Sequence, residues 1–141
     1  MGHPLQDYIG FRILQIHRAH RNRAEAAFNE LGLYTGQEWV LFQLWNEEGQ
    51  TQTQLVSSLR VEPPTVTKTL DRLEKTGLVE RRQDPDDARV SRVYLTPAGR
   101  VLEAKVRKVW DELEALTTEG LSDVELALLR RLLDQIFQNL R

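Results

Sequence analysis

The stretch DPDDARVSRVYLTPAG, from Asp84 to Gly99, decides the fold. Asp84-Pro85-Asp86-Asp87 is rich in turn formers. The segments on either side of the turn, Val79–Gln83 and Val90–Leu95, are short, β-branched or basic, and roughly alternating, which predicts two strands. Arg89 then stands near the tip of the turn between them. Just upstream, Pro63 to Thr76 reads as a helix, with Val66, Leu70 and Leu73 on one face and a stop at Gly77-Leu78. A helix, a strand, a charged turn carrying an arginine and a returning strand together make a winged helix-turn-helix. That pattern points to duplex DNA as the partner.

Working outward, Thr51 to Leu59 is a second short helix, with capping-box spacing between Thr51 and Gln54. The break at Arg60-Val61-Glu62 supplies the turn between the two helices. Thr35 and Glu38 have the same capping-box spacing and predict a helix start at Thr35. That helix is apolar almost all round, through Trp39, Val40, Leu41, Phe42, Leu44 and Trp45, and is expected at the centre of the fold. Leu5 to Leu31 carries apolar or small residues at helical spacing and ends at Gly32, with Leu33 placed to touch Phe28. Downstream, Thr96-Pro97 opens a long helix with Leu102, Val106, Val109, Leu113 and Leu116 on one stripe. Run to Glu119, it spans about 35 Å. Ser122 and Glu125 cap a last helix carrying Leu129, Leu132, Leu133, Ile136, Phe137 and Leu140.

Composition narrows the function. The chain has 141 residues, 28% charged and 40% hydrophobic, which suits one globular domain. It contains no cysteine, so disulfides, thiolate metal sites and cysteine nucleophiles are excluded. Neither a long apolar run nor a signal-peptide pattern is evident, so no membrane partner is expected and a cytoplasmic location is. No phosphate loop, HExxH or serine elbow occurs, which argues against an enzyme, and no cofactor is expected. Net charge is −2, yet residues 60–100 carry nine basic and seven acidic residues against ten and fourteen elsewhere. The middle is therefore the more positive part, in the direction expected if it faces phosphate.

The order of these elements resembles the MarR family of transcription regulators. Asp87-x-Arg89, five residues, then Leu95-Thr96-x-x-Gly99 is similar to the family's wing signature, and Pro64 to Val79 resembles its recognition helix. Two departures stand out: Arg60 occupies a turn position where the family usually has glycine, and Gln50 a usually apolar one. The resemblance implies a fold that is mainly α with a small β-wing, in one domain over residues 1–141. A winged helix-turn-helix at about 35–96 would be flanked by dimerisation helices at about 5–31 and 97–140. It implies a homodimer that binds double-stranded DNA at a pseudo-palindromic site, with half-sites about 10 bp apart. A winged-helix module binding protein or RNA is the alternative; such modules need not keep arginine at the wing tip.

On the recognition helix, the outward positions Pro64, Thr65, Thr67, Lys68 and Arg72 are the candidates for bases and phosphates. The helix N-terminus would add free amides suited to phosphate. Arg89 at the wing tip suits a narrow minor groove, with Asp87 orienting it. Arg81, Arg82 and Arg92 are candidate phosphate contacts. Family members often bind small aromatic or phenolic anions between dimer helices and DNA-binding lobe; His17, His20, Trp39, Phe42 and Trp45 are candidate lining residues here. His17 and His20 lie three residues apart, but no third ligand is assigned, so no metal site is expected.

Overall fold

The computed structural model describes residues 4–141. The first three residues of the expected 1–141 domain lie outside the described residues. Six α-helices and a three-stranded antiparallel sheet make up the described chain: α1 Ile9–Glu30, α2 Gln37–Asn46, β1 Gln50–Thr51, α3 Gln52–Leu59, α4 Pro63–Lys75, β2 Val79–Gln83, β3 Ser91–Leu95, α5 Pro97–Thr117 and α6 Asp123–Leu140. The fold is mainly α with a small β-wing, as the sequence predicts.

The glycine stops form as expected. After α1, the Leu33 amide donates to the Phe28 carbonyl at 2.9 Å; after α4, the Leu78 amide donates to the Leu73 carbonyl at 2.9 Å. Both are Schellman closures, with Gly32 and Gly77 left-handed at φ 80° and 77°. The capping boxes at Thr51/Gln54 and Ser122/Glu125 are both complete. Arg60 does adopt the left-handed geometry that glycine would take there, with φ 54° and ψ 40°. Such a backbone costs a non-glycine residue about 1–2 kcal/mol.

Five expectations are corrected. Helix α1 starts at Ile9, not Leu5, because Pro4–Asp7 forms a separate 3-10 turn and Tyr8 is extended. Helix α2 starts at Gln37, not Thr35, behind a left-handed Gly36. The expected Thr35/Glu38 box is absent: the Thr35 hydroxyl donates to Glu25 instead, while Gln37 accepts from the Tyr34 amide at 2.9 Å. Nor is α2 buried all round. Val40, Leu41 and Leu44 are buried, but Trp39 is half exposed. Finally, the wing has a third strand. Gln50 pairs with Val93 and Thr51 with Arg92, so the order is β1-β3-β2.

Gln50 explains its own departure. Its buried carboxamide donates to the Gln43 and Glu47 carbonyls at 2.9 and 2.8 Å, closing the C-terminal end of α2. The core gathers Phe28 and Leu33, the inner faces of α2, α3 and α4, Val79, Val93 and Leu95 from the wing, and Leu102 and Val106 from α5. Helix α6 contributes no buried residue and stands apart from this core.

Candidate nucleic-acid interface and adjoining cavity

Helix α4 divides cleanly. Val66, Leu70 and Leu73 are buried, and Pro64, Thr65, Lys68 and Arg72 are exposed on the opposite side. Thr67 is half-buried and its hydroxyl is already engaged: it donates to the Pro63 carbonyl at 3.1 Å and accepts from the Gln52 carboxamide on α3. Its polar atom ties the two helices of the motif together. The free amides expected at the N-terminus of α4 are absent. Pro63 and Pro64 have no N–H, and the Thr65 and Val66 amides both donate to the Glu62 carbonyl. Any phosphate held at this end must therefore be held by side chains.

The wing is built on Asp84. Its carboxylate accepts from the Asp86 and Asp87 amides at 2.8 and 3.2 Å and from Arg92 Nε at 2.6 Å. The Arg92 hydrogen bond is the main cause holding the Asp84 carboxyl below its usual range. Arg92 also donates to the Gly49 carbonyl at 2.9 Å, so this candidate phosphate contact is engaged at the base of the wing. Asp84 was readable only as a turn former; its role as the wing's hub needs the fold.

Asp87 grips Arg89 through three hydrogen bonds, from its amide at 3.0 Å, Nε at 3.1 Å and Nη2 at 3.2 Å. These bonds hold the Asp87 carboxyl below its ordinary value. The Arg89 side chain remains 90% exposed. An exposed pair adds only about 0–1 kcal/mol to stability, so what it does is fix where the guanidinium points. Arg81 reaches back to Asp71 on α4 at 2.8 Å, coupling wing and helix. Arg82 pairs with Glu80 and lies over the Tyr94 ring, 4.5 Å from its centroid.

Behind this surface, α1, α2, α5 and the loop from Leu33 to Gly36 line a half-open cavity of about 520 Å³. His17, His20 and Trp39 line it, but Phe42 and Trp45 do not. Phe42 packs between Trp39, Trp45 and Trp110, and the Trp45 indole donates to the Gly99 carbonyl at 3.0 Å. Sequence reasoning missed Phe28, Tyr34, Glu38 and Trp110, which also line the space. Glu38 looked like a capping residue. Trp110, next to Val109 on α5, carries no local signal that distinguishes it from core. Among the described residues, no group of three or more His, Asp or Glu side chains is arranged to hold a metal. No described helix is long and apolar enough to cross a membrane.

Comparison with known proteins accords with this geometry. Residues 35–91, from just before α2 to the first residue of β3, match the MarR family model. The chain is similar to the HTH-type transcriptional repressor IacR of Pseudomonas putida, 25% identical over 136 residues, which cover 96% of this chain and 81% of that protein. It is 44% identical over 87 residues to an uncharacterized HTH-type transcriptional regulator of Bacillus subtilis, YwoH, a span of 60% of this chain and 63% of that one. Wild-type apo MarR of E. coli superposes with a TM-score of 0.77 at 26% identity, covering 92% and 96% of the two chains. In motif, fold and sequence alike, the chain is similar to the MarR family of transcription regulators.

Proposed function

We propose that the protein is a DNA-binding transcriptional repressor that acts as a homodimer on a pseudo-palindromic operator, and that a small aromatic molecule entering the α1–α2–α5 cavity releases it. The observation that carries the DNA reading is Arg89, fully presented at the wing tip yet held in one orientation by Asp87. A guanidinium fixed in this way has already lost much of the side-chain entropy that binding a narrow minor groove would take. Lys68, Thr65 and Arg72 on the outer face of α4 serve the major groove, with Lys68 suited to guanine or phosphate. Thr67 acts there mainly by keeping α4 in register with α3.

The dimer reading rests on α6. Val124, Leu128, Leu129, Leu132, Leu133, Phe137 and Leu140 are all exposed, as are Leu5, Ile9 and Ile16 at the other end of the chain. Burying a side chain of this kind gains about 1.5–3 kcal/mol, so this surface calls for a partner, and a second copy carries the matching one. Two copies also explain how one recognition helix per chain reads a pseudo-palindrome.

The test is binding to source-genome fragments selected by the purified protein. With roughly six to ten phosphate contacts, affinity should fall by about 10³–10⁵ between ~50 and ~200 mM salt. Undiminished binding with a flat salt response would contradict the proposed contacts, and recovery of RNA or protein instead of duplex DNA would contradict the partner.

A further inference from the structure

Glu38 lies outside the candidate DNA-contacting residues of α4 and the wing, and the fold leaves it incomplete. It is only 9% exposed, it lines the cavity, and its Oε2 has no hydrogen-bond partner. A desolvated acceptor left unpaired is costly, and a bound donor removes that cost. Burial pushes the Glu38 carboxyl above its ordinary value, and the nearby Glu25 carboxylate adds to the rise; the amides of Glu38 and Gly36 pull the other way and lose.

The other charged groups on the wall are already committed. Arg21 donates to Glu25 at 2.9 Å, and the Thr35 hydroxyl donates to the same oxygen at 3.1 Å. His17 and His20 complete the titratable set contributed by α1. Glu38 is thus the acidic group whose demand is unmet. The rings of Phe28, Tyr34, Trp39 and Trp110 line the same cavity, with Trp110 centred 5.8 Å from Phe28 and 6.1 Å from Trp39. A cavity lined by aromatic rings and a carboxylate attracts organic cations, because the ring quadrupole and the acid both favour positive charge. A volume of about 520 Å³ admits a one- or two-ring ligand.

We propose that the cavity selects an aromatic cation: a small ring system bearing an ammonium group whose N–H donates to Glu38 Oε2. This rests on the reading of the cavity as the effector site, and it replaces the phenolic anion that the family resemblance implies with the opposite charge.

Calorimetric titration of the full-length protein with three probes of one ring system tests it: 2-naphthylmethylammonium, 2-naphthalenemethanol and 2-naphthoate. The ammonium should bind at least about tenfold more tightly than the alcohol, with naphthoate weakest. Glu38→Gln should remove the preference for the ammonium over the alcohol. Glu38→Asp, which keeps the carboxylate, should retain a reduced preference, and this guards against a fault peculiar to the amide. Naphthoate binding as tightly as the ammonium, or an unchanged ammonium-to-alcohol ratio in Glu38→Gln, overturns the proposal. If the three probes bind equally, only the charge assignment falls. If none binds at millimolar concentration, the effector reading of the cavity falls with it.

Discussion

Replacing Gly99 with alanine should damage the protein out of proportion to the single methyl group added. A Cβ at Gly99 would lie 2.2 Å from the Leu78 carbonyl oxygen, where ordinary contact begins at 3.4 Å. The two segments must therefore part by roughly 1 Å in an interior packed at crystal density. Overpacking of this order costs about 1–3 kcal/mol when side chains can yield. Here the obstacle is backbone, and Leu78 also accepts the Thr96 amide at 3.1 Å. Losing that bond adds about 0.5–1.5 kcal/mol, so the expected total is about 2–4 kcal/mol. For a chain of this size that is a fall in melting temperature of about 6–12 °C. The assay is a circular-dichroism melt at fixed protein concentration, with near-ultraviolet signal to follow Trp45, whose indole is bonded to the Gly99 carbonyl. A melting point within about 2 °C of wild type would refute the reasoning. The same contact explains why glycine closes the wing signature: it lets the start of α5 pass directly against the Leu78 carbonyl, between α4 and β2.

Three further predictions follow from other parts of the fold. Leu132→Glu on the exposed stripe of α6 should convert the proposed dimer to monomer in light scattering and weaken operator binding; a persisting dimer would show that α6 is not the interface. Asp84→Asn should loosen the wing by releasing Arg92, lowering DNA affinity while the helical circular-dichroism signal stays intact; unchanged affinity would deny Asp84 its role as hub. Glu38→Gln should make the protein more stable at neutral pH. Because burial raises the Glu38 carboxyl, the folded state keeps a proton over a range where the unfolded chain has lost it, so Glu38 lowers stability as pH rises through that range. The advantage of the variant should vanish below the ordinary carboxylate range; a stability difference independent of pH would contradict the burial argument.

What the sequence made legible was what local chemistry decides. The Gly32 and Gly77 stops, the Thr51 and Ser122 boxes and the Thr96-Pro97 start are set within a few residues of one another, and the structure forms them all. Thr35/Glu38 shows where such logic fails. The spacing fits a capping box, but a left-handed Gly36 shifts the helix start, and Glu25 on α1 claims the Thr35 hydroxyl. Strand β1 is two residues long and shows no alternation; only its pairing with β3 defines it. At the interface, the exposed face of α4 was readable from its apolar spacing. The prolines at 63 and 64 already ruled out free amides at its start, and the expectation overlooked them. The cavity was half visible. His17, His20 and Trp39 were found, whereas Trp110 and Glu38 enter it from elements whose meeting only tertiary packing determines.

The most direct test of the central claim is the affinity of Arg89→Ala for an operator duplex, measured by fluorescence anisotropy at fixed salt. Removing an exposed wing-tip guanidinium should leave the protein's oligomeric state and melting point unchanged while weakening binding by about 1–3 kcal/mol, roughly 5- to 150-fold. Affinity equal to wild type would contradict the claim that the Asp87-held arginine reads DNA.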